Sequence, residues 1–405
     1  VSGRLVIVGA GQAAFALASK LRGLKDDRPI TILGSEDVLP YQRPPLSKKY
    51  LLGDMTFDRL LFRPEHWYAD HNVEIRTSAW VEEIDRTAKT VRLQDGSTVV
   101  YETLVLATGA EPRSLPPGIG GDLQGIFTVR DKRDADRLMK EMRPGRRLLI
   151  VGGGYIGLEA AAVARHLGLD VTLIEMADRI LQRVAARETA DAIRGIHVSH
   201  GVSIREKTGL VRLNGDNGHV KTAELSDGSV IDVDFVIAGI GVTPNDRLAR
   251  EAGLDVANGV VVDAFTRTSD SSIHALGDCA VLPWQGTQIR LESVQNAVEQ
   301  AEAAAIVLTG EDRPYDPKPW FWSDQYDVKL QIAGFNAGYD ETMVRPGKRE
   351  GSLSIWYFRQ GRFIAVDAIN DAKAYVTGKK ILESGINPDR MILADISADL
   401  KQLLV

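Results

Sequence analysis

Residues 146–180 read RRLLIVGGGYIGLEAAAVARHLGLDVTLIEMADRI. The stretch opens on an unbroken apolar run, 148–151, of the kind that a parallel strand buried on both faces requires. Gly152, Gly153 and Gly154 end that run, and the period then changes, with Leu158, Ala161, Ala162 and Leu167 recurring at helical spacing. A second apolar run, 171–174, closes on Glu175. Strand, glycine turn, helix and strand in that order make a βαβ unit.

The spacing Gly152-x-Gly154-x-x-Gly157 gives that unit a chemistry. The first glycine permits the tight turn, the second lets a pyrophosphate approach the backbone, and the third lets the helix pack close to the strand. Ile156 lies in the same first turn of the helix, whose amides and partial positive charge face the phosphates. Glu175 stands where a carboxylate accepts the ribose diol, and it would repel a 2′-phosphate, so NADH is favoured over NADPH. Arg179 and Arg183 follow, either as acceptors of such a phosphate or as ordinary solvated charge.

The same order occurs at residues 4–24, RLVIVGAGQAAFALASKLRGL, followed by an apolar run at 30–33. This first fingerprint is Gly9-x-Gly11-x-x-Ala14, with Ser35 at the end of the second strand and Glu36 next to it, either placed to meet an adenosine ribose. Each unit leads to a hairpin and a buried strand ending in glycine: 91–113, VRLQDGSTVVYETLVLATGAEPR, and 224–245, ELSDGSVIDVDFVIAGIGVTPN. Two dinucleotide units imply two nucleotides, one a resident flavin and the other a diffusible hydride donor. Pro112, Pro116 and Pro117 mark a first crossover between domains, and 239–244 marks the return. Beyond Pro314, Pro317 and Pro319 the chain turns to aromatics and alternating strands, as in 351–369, GSLSIWYFRQGRFIAVDAI. The expected fold is α/β, with two Rossmann-like nucleotide-binding domains (1–110 with 241–317 for FAD, 111–240 for NAD) and a C-terminal α+β domain over 318–405.

Bulk properties narrow the class. The 405 residues exceed what one core usually organises, and 44% hydrophobic with 26% charged residues matches ordinary globular enzymes. A formal net charge of -6 argues against a nucleic-acid partner. The lone cysteine, Cys279, excludes a disulfide pair and a thiolate metal cluster, so no metal is expected and a reducing cytoplasm fits. No apolar run of about 18 residues supplies a membrane span.

The chain resembles the glutathione-reductase-like FAD/NAD(P)-linked oxidoreductases, and within them the ferredoxin reductases of the putidaredoxin reductase type. The markers are YQRPPLSKKYL (41–51), LVLATG (104–109), VGGGYIGLEAA (151–161), VIAGIGVTPN (236–245), IHALGDCA (273–280), ESVQNAVEQA (292–301) and PWFWSDQYDVKL (319–330). The resemblance implies that Asp278 accepts hydrogen bonds from the ribityl chain and that Lys48 lies near the flavin ring, paired with Glu159. It also implies that Ala13, Ser35, Val81, Arg130 and Val294 line the FAD site and that Gly241 borders the NAD. Trp320, with Phe321, Trp322, Ser323 and Asp324, should pack against flavin, with partner contact as the alternative.

The implied reaction is hydride transfer from NADH to FAD, then single electrons to a [2Fe-2S] ferredoxin that feeds a cytochrome P450 or another oxygenase. Residues 38–52 hold no cysteine, which separates the chain from disulfide reductases and cysteine-dependent peroxidases; Cys279 reads as a small buried hydrophobe. Reduction of rubredoxin, reduction of oxygen, and a redox sensor like apoptosis-inducing factor are the competing readings. Arg59, Arg63, Arg290, Lys318 and Lys329 are candidates for steering an acidic ferredoxin, against ordinary solvated charge.

Overall fold

Leu5–Val8 and Arg147–Val151 form strands because each apolar run is followed at once by a glycine that no other residue replaces. Gly9 and Gly152 adopt φ of +106° and +108°, and a Cβ at either would overlap a backbone carbonyl oxygen, of Ala107 and of Gly239 respectively. The computed structural model describes residues 3–404. It divides into two compact units: one holds the chain up to Arg43, Thr56–Glu111 and Val242–Pro317, and the other holds Pro44–Met55, Pro112–Gly241 and the chain from Lys318 on.

In the first unit, five parallel strands run in the order Ile273–Ala275, Thr103–Leu106, Leu5–Val8, Ile30–Leu33, Val73–Arg76. The helices Gln12–Gly23 and Val294–Leu308 pack on each other through small residues, Ala14, Ala18, Ala297, Ala301 and Ala304 among them, in one apolar cluster with Leu5 and Ile7. A turn through Asp95 and Gly96 links the strands Thr90–Leu93 and Thr98–Val100, with Asp95 accepting from the Ser97 amide at 2.9 Å.

The second unit repeats the plan. Its parallel sheet runs Ser203–Arg205, Asp170–Ile174, Arg147–Val151, Phe235–Ala238, Ile126–Phe127. Asp227 serves its hairpin as Asp95 serves the other, accepting from the Ser229 amide at 2.9 Å. The C-terminal part is an antiparallel sheet ordered Trp320–Gln325, Val328–Gly334, Arg362–Ile369, Leu353–Arg359, Glu341–Pro346, covered by the helix Ala372–Ser384.

Residues 44–55, which chain order assigns to the first domain, pack in the second unit. Leu51 belongs to its core, and the Tyr50 hydroxyl donates to Asp136 at 2.5 Å. Among the described residues no helix is long and apolar enough to cross a membrane, and no cluster of side chains is arranged to hold a metal ion.

Candidate functional site

In the first unit, Gly11 caps the helix Gln12–Gly23 without any side-chain hydrogen bond, and the first turn carries no acid. A Cβ at Gly11 would meet nothing within 4 Å. This helix start thus carries neither a side-chain cap nor an acid, and the space beside Gly11 is open, as close approach of an anionic pyrophosphate requires. Ala14 is buried where the second fingerprint has glycine.

Asp278 sits, half-buried, on the single turn Gly277–Cys279, which follows the strand Ile273–Ala275. That loop is pinned from two sides. Gln300 Oε1 accepts from the Gly277 amide at 2.8 Å, and Arg290 donates to the Asp278 carbonyl at 3.0 Å. A Cβ at Gly277 would lie 3.4 Å from that of Ala13, so the structure brings Ala13 and the Asp278 turn together beyond the carboxyl ends of two strands of one parallel sheet, with Thr103–Leu106 between them, where open α/β sheets bind ligands. Val294 opens the helix Val294–Leu308, and Val81 is buried at the start of the strand Val81–Asp85.

Ser35 is exposed. Glu36 is half-buried, with its carboxylate accepting from the Tyr41 hydroxyl at 2.6 Å and ion-paired with Arg43. Of the two ribose candidates, only Glu36 has a fixed acceptor.

The second fingerprint is built more tightly. A Cβ at Gly157 would overlap the Gly152 carbonyl, so the third glycine is obligatory here. Gly154 caps the helix Tyr155–His166 with no side-chain bond and no acid in the first turn, and a Cβ there again meets nothing within 4 Å. Glu175 is oriented by two backbone donors, the Gly153 amide to Oε2 and the Ala177 amide to Oε1, both at 2.8 Å. Its carboxylate is thus fixed beside the glycine turn. Ile156 is 44% exposed, unusual for isoleucine, and Gly241, at φ +99°, has open space around its α-carbon. Arg130 is half-buried, and its amide donates to Asp134, whose carboxyl burial pushes above the usual range.

Arg179 reads neither as solvated charge nor as a phosphate ligand. It is buried, and its guanidinium donates to the Ala185 carbonyl at 2.8 Å. Arg183 is exposed.

Lys48 and Glu159 meet. Lys48 Nζ stands 2.6 Å from Glu159 Oε2, with side-chain exposures of 18% and 5%. Ser47 Oγ donates to the same oxygen at 2.8 Å and Ser323 Oγ donates to Oε1 at 2.7 Å, so three donors converge on a carboxylate on the helix of the second fingerprint. A charge buried this far needs such partners. The Pro44–Ser47 turn supplies Ser47, the residue after it is Lys48, and the strand Trp320–Gln325 supplies the third donor. Ser47 was not legible as a site residue, although it is adjacent to Lys48, and Ser323 was read only within the Trp320–Asp324 segment expected to pack against flavin, not as a partner of Glu159.

Phe321 packs on Tyr155, with ring centroids 4.8 Å apart. The other face of the strand carries Trp320 and Trp322, rings 5.6 Å apart, with Lys379 over Trp320 at 5.3 Å. Among the steering candidates, Arg290 is corrected: its side chain is 8% exposed, paired with Glu292, and it holds the Asp278 turn. Arg59, Lys318 and Lys329 are exposed; Arg63 is exposed too, with its guanidinium over the rings of Phe15 and Trp67.

Cys279 is fully buried, donates weakly to the carbonyls of Leu276 and Leu106 at 3.3 and 3.4 Å, and has its thiol pushed up by burial. That is a packed thiol, not a nucleophile.

The pyridine nucleotide-disulphide oxidoreductase model matches residues 3–301, and a reductase C-terminal model matches 320–404. Rhodocoxin reductase of Rhodococcus erythropolis is 42% identical over 401 residues, spanning 98% of this chain and 93% of that protein. A ferredoxin–NAD(P)(+) reductase of a Sphingomonas species is 43% identical over 384 residues, 94% and 92% of the two chains. The reductase in the crystal structure of the covalent putidaredoxin reductase–putidaredoxin complex superposes with a TM-score of 0.96 at 37% identity, covering 100% of this chain and 98% of that one. The chain therefore belongs to the pyridine nucleotide-disulphide oxidoreductase family, and it is an oxidoreductase with two glycine turns, a C-terminal part of the reductase C-terminal type and a single, buried cysteine.

Proposed function

We propose that this protein is an FAD-dependent NADH:ferredoxin reductase, working in the cytoplasm and passing electrons to a [2Fe-2S] ferredoxin that serves a cytochrome P450 or another oxygenase. The observation that carries the reading is the pair of glycine turns, each leading into an uncapped helix and each open at its middle glycine, Gly11 and Gly154. FAD is assigned to residues 1–110 with 241–317, NAD to 111–240, and 318–405 to the C-terminal domain.

In that assignment Gly9, Gly11, Ala13 and Ala14 take the FAD pyrophosphate and its approach, and Glu36 with Ser35 the adenosine ribose. Asp278, Val81 and Val294 line the remainder, and Lys48, Arg130 and Trp320 are the cofactor residues of the second unit. Gly152, Gly154, Ile156, Gly157 and Gly241 border the NAD, and Glu175, held by the Gly153 and Ala177 amides, accepts the ribose diol and repels a 2′-phosphate. Lys48 and Glu159 are the catalytic pair: Glu159 keeps the ammonium in one place, where it favours negative charge developing on the cofactor. Bound FAD supplies what the protein cannot, accepting a hydride and releasing electrons singly.

The buried Cys279 leaves no thiol for disulphide chemistry, which points the output to a one-electron carrier. The acceptor is tested by mixing the NADH-reduced protein anaerobically with purified [2Fe-2S] ferredoxins, with rubredoxin, and with oxygen. The expected result is fast ferredoxin reduction and slow oxygen consumption. Rapid turnover with rubredoxin or oxygen and none with any ferredoxin would overturn the acceptor assignment.

A further inference from the structure

The Lys48–Glu159 pair continues into buried polar side chains that the two-nucleotide reading leaves unused. Ser323 Oγ, which donates to Glu159, itself receives a hydrogen bond from Gln325 Nε2 at 3.1 Å. Gln325 Oε1 lies 2.7 Å from His197 Nε2, and His197 Nδ1 lies 3.3 Å from the Tyr326 hydroxyl. Ser323, Gln325 and His197 are each at most 2% exposed. Tyr326 stacks on the exposed His200, 3.7 Å between centroids, where the line reaches the surface.

The direction of every link is set from one end. A carboxylate only accepts, and Glu159 already receives Ser47 and Lys48, so the Ser323 proton points at Glu159 and a Ser323 lone pair is left for the Gln325 amide. The Gln325 carbonyl then faces His197, which must carry its proton on Nε2 and accept from Tyr326 on Nδ1. A flipped Gln325 would set its carbonyl oxygen against the Ser323 oxygen, whose proton is committed to Glu159. Burial pulls the His197 pKa down to about 4, consistent with a neutral ring.

We propose that Ser323, Gln325 and His197 are positioning residues, forming a one-way chain of hydrogen bonds that orients the Glu159 carboxylate and, through it, Lys48. The inference rests on the reading of Lys48 and Glu159 as the pair that serves hydride delivery. Gln325 in the middle excludes a proton relay, because a primary amide neither gains nor loses a proton near neutrality. The chain therefore transmits orientation, from the helix Arg187–Ser199 through the strand Trp320–Gln325 to the helix Tyr155–His166.

Two measurements on the FAD-loaded protein test it. In stopped-flow reduction by NADH, Ser323→Ala should slow flavin reduction about tenfold at saturating NADH, the effect of losing one charge-assisted hydrogen bond, with half-saturation within about twofold of the parent. Ser323→Thr, which keeps the hydroxyl, should recover most of the rate. Independently, nitrogen NMR of histidine-labelled protein should find His197 as the neutral Nε2–H tautomer, and Glu159→Gln, whose carbonyl must face the donor-only Lys48 so that its amide donates to Ser323, should reverse the chain and shift His197 to the Nδ1–H tautomer. A parent rate in Ser323→Ala would overturn the proposal, and so would an Nδ1–H or protonated His197 in the parent at neutral pH. The His197 signal decides alone if Ser323→Ala fails to fold. If the parent is not reduced by NADH, the reductase reading falls, while the His197 signal still supports or refutes the chain.

Discussion

Gly9 and Gly11 stand two residues apart in one turn, yet different forces require them. Gly9 is required by the chain itself: at φ +106°, with a Cβ overlapping the Ala107 carbonyl, any side chain brings both strain and a backbone clash. Gly11 has an ordinary φ of -93° and open space, so the chain accepts alanine there, and in the proposed assignment only the FAD pyrophosphate would object. Gly9→Ala should therefore cost on the order of 3 kcal/mol of stability or more, whereas Gly11→Ala should fold with a near-parental Tm and lose FAD. Calorimetry and the flavin-to-protein absorbance ratio separate the two. These glycines, like Glu175, were legible in the sequence because their constraint is local. The bonds of Ser47 and Ser323 were not, because their partner, Glu159, lies 112 and 164 positions away. Arg179 and Arg290 misled for the same reason, since neither backbone carbonyls nor burial leave a mark at an arginine in the sequence.

The elements carry buried ionisable groups whose pKa shifts set the pH response in opposite directions. His197, in the helix Arg187–Ser199, and His274, in the strand Ile273–Ala275, are each drawn down to about 4 by burial. For a base with a lowered folded pKa the unfolded chain binds the extra proton, so this stability is present above about 6.5 and is lost as pH falls through about 4. Asp367, in the strand Arg362–Ile369, is fully buried and pushed up to about 6; its Oδ2 accepts from Thr189 at 2.6 Å and from Tyr357, while Oδ1 has no partner among the described residues. A raised folded pKa has the reverse sign: its contribution is present below about 4 and is lost as pH rises through about 6. Scanning Tm from pH 4 to 7.5, His274→Asn should flatten the loss on acidification, whereas Asp367→Asn should gain on the parent as pH rises. Parallel curves for either variant would contradict its assignment. Strand and helix positions were readable from apolar period, but the packing of 44–55 into the second unit was not, because Tyr50 and Leu51 reach partners that chain order hides.

Across the whole chain, the fold was readable because it is written twice: strand, glycine turn, helix, strand, hairpin and strand recur, and each copy builds a parallel sheet of five. Function was less legible, because both copies carry the same kind of glycine turn and helix start and differ in what surrounds it. The second copy adds a carboxylate held by two amides and a buried Lys48–Glu159 pair; the first adds the Asp278 turn. The central claim is that NADH reduces an FAD held by this chain, with Glu175 choosing the donor. It is tested by anaerobic stopped-flow reduction of the flavin by NADH and by NADPH, in the parent and in Glu175→Ala. The account predicts rapid bleaching of the flavin band by NADH, at least tenfold weaker half-saturation by NADPH, and a loss of most of that difference in Glu175→Ala through weaker NADH binding, since a hydrogen bond to a charged group contributes about 1.5–3 kcal/mol. A protein that holds no flavin, or that NADPH reduces as readily as NADH in the parent, would contradict it.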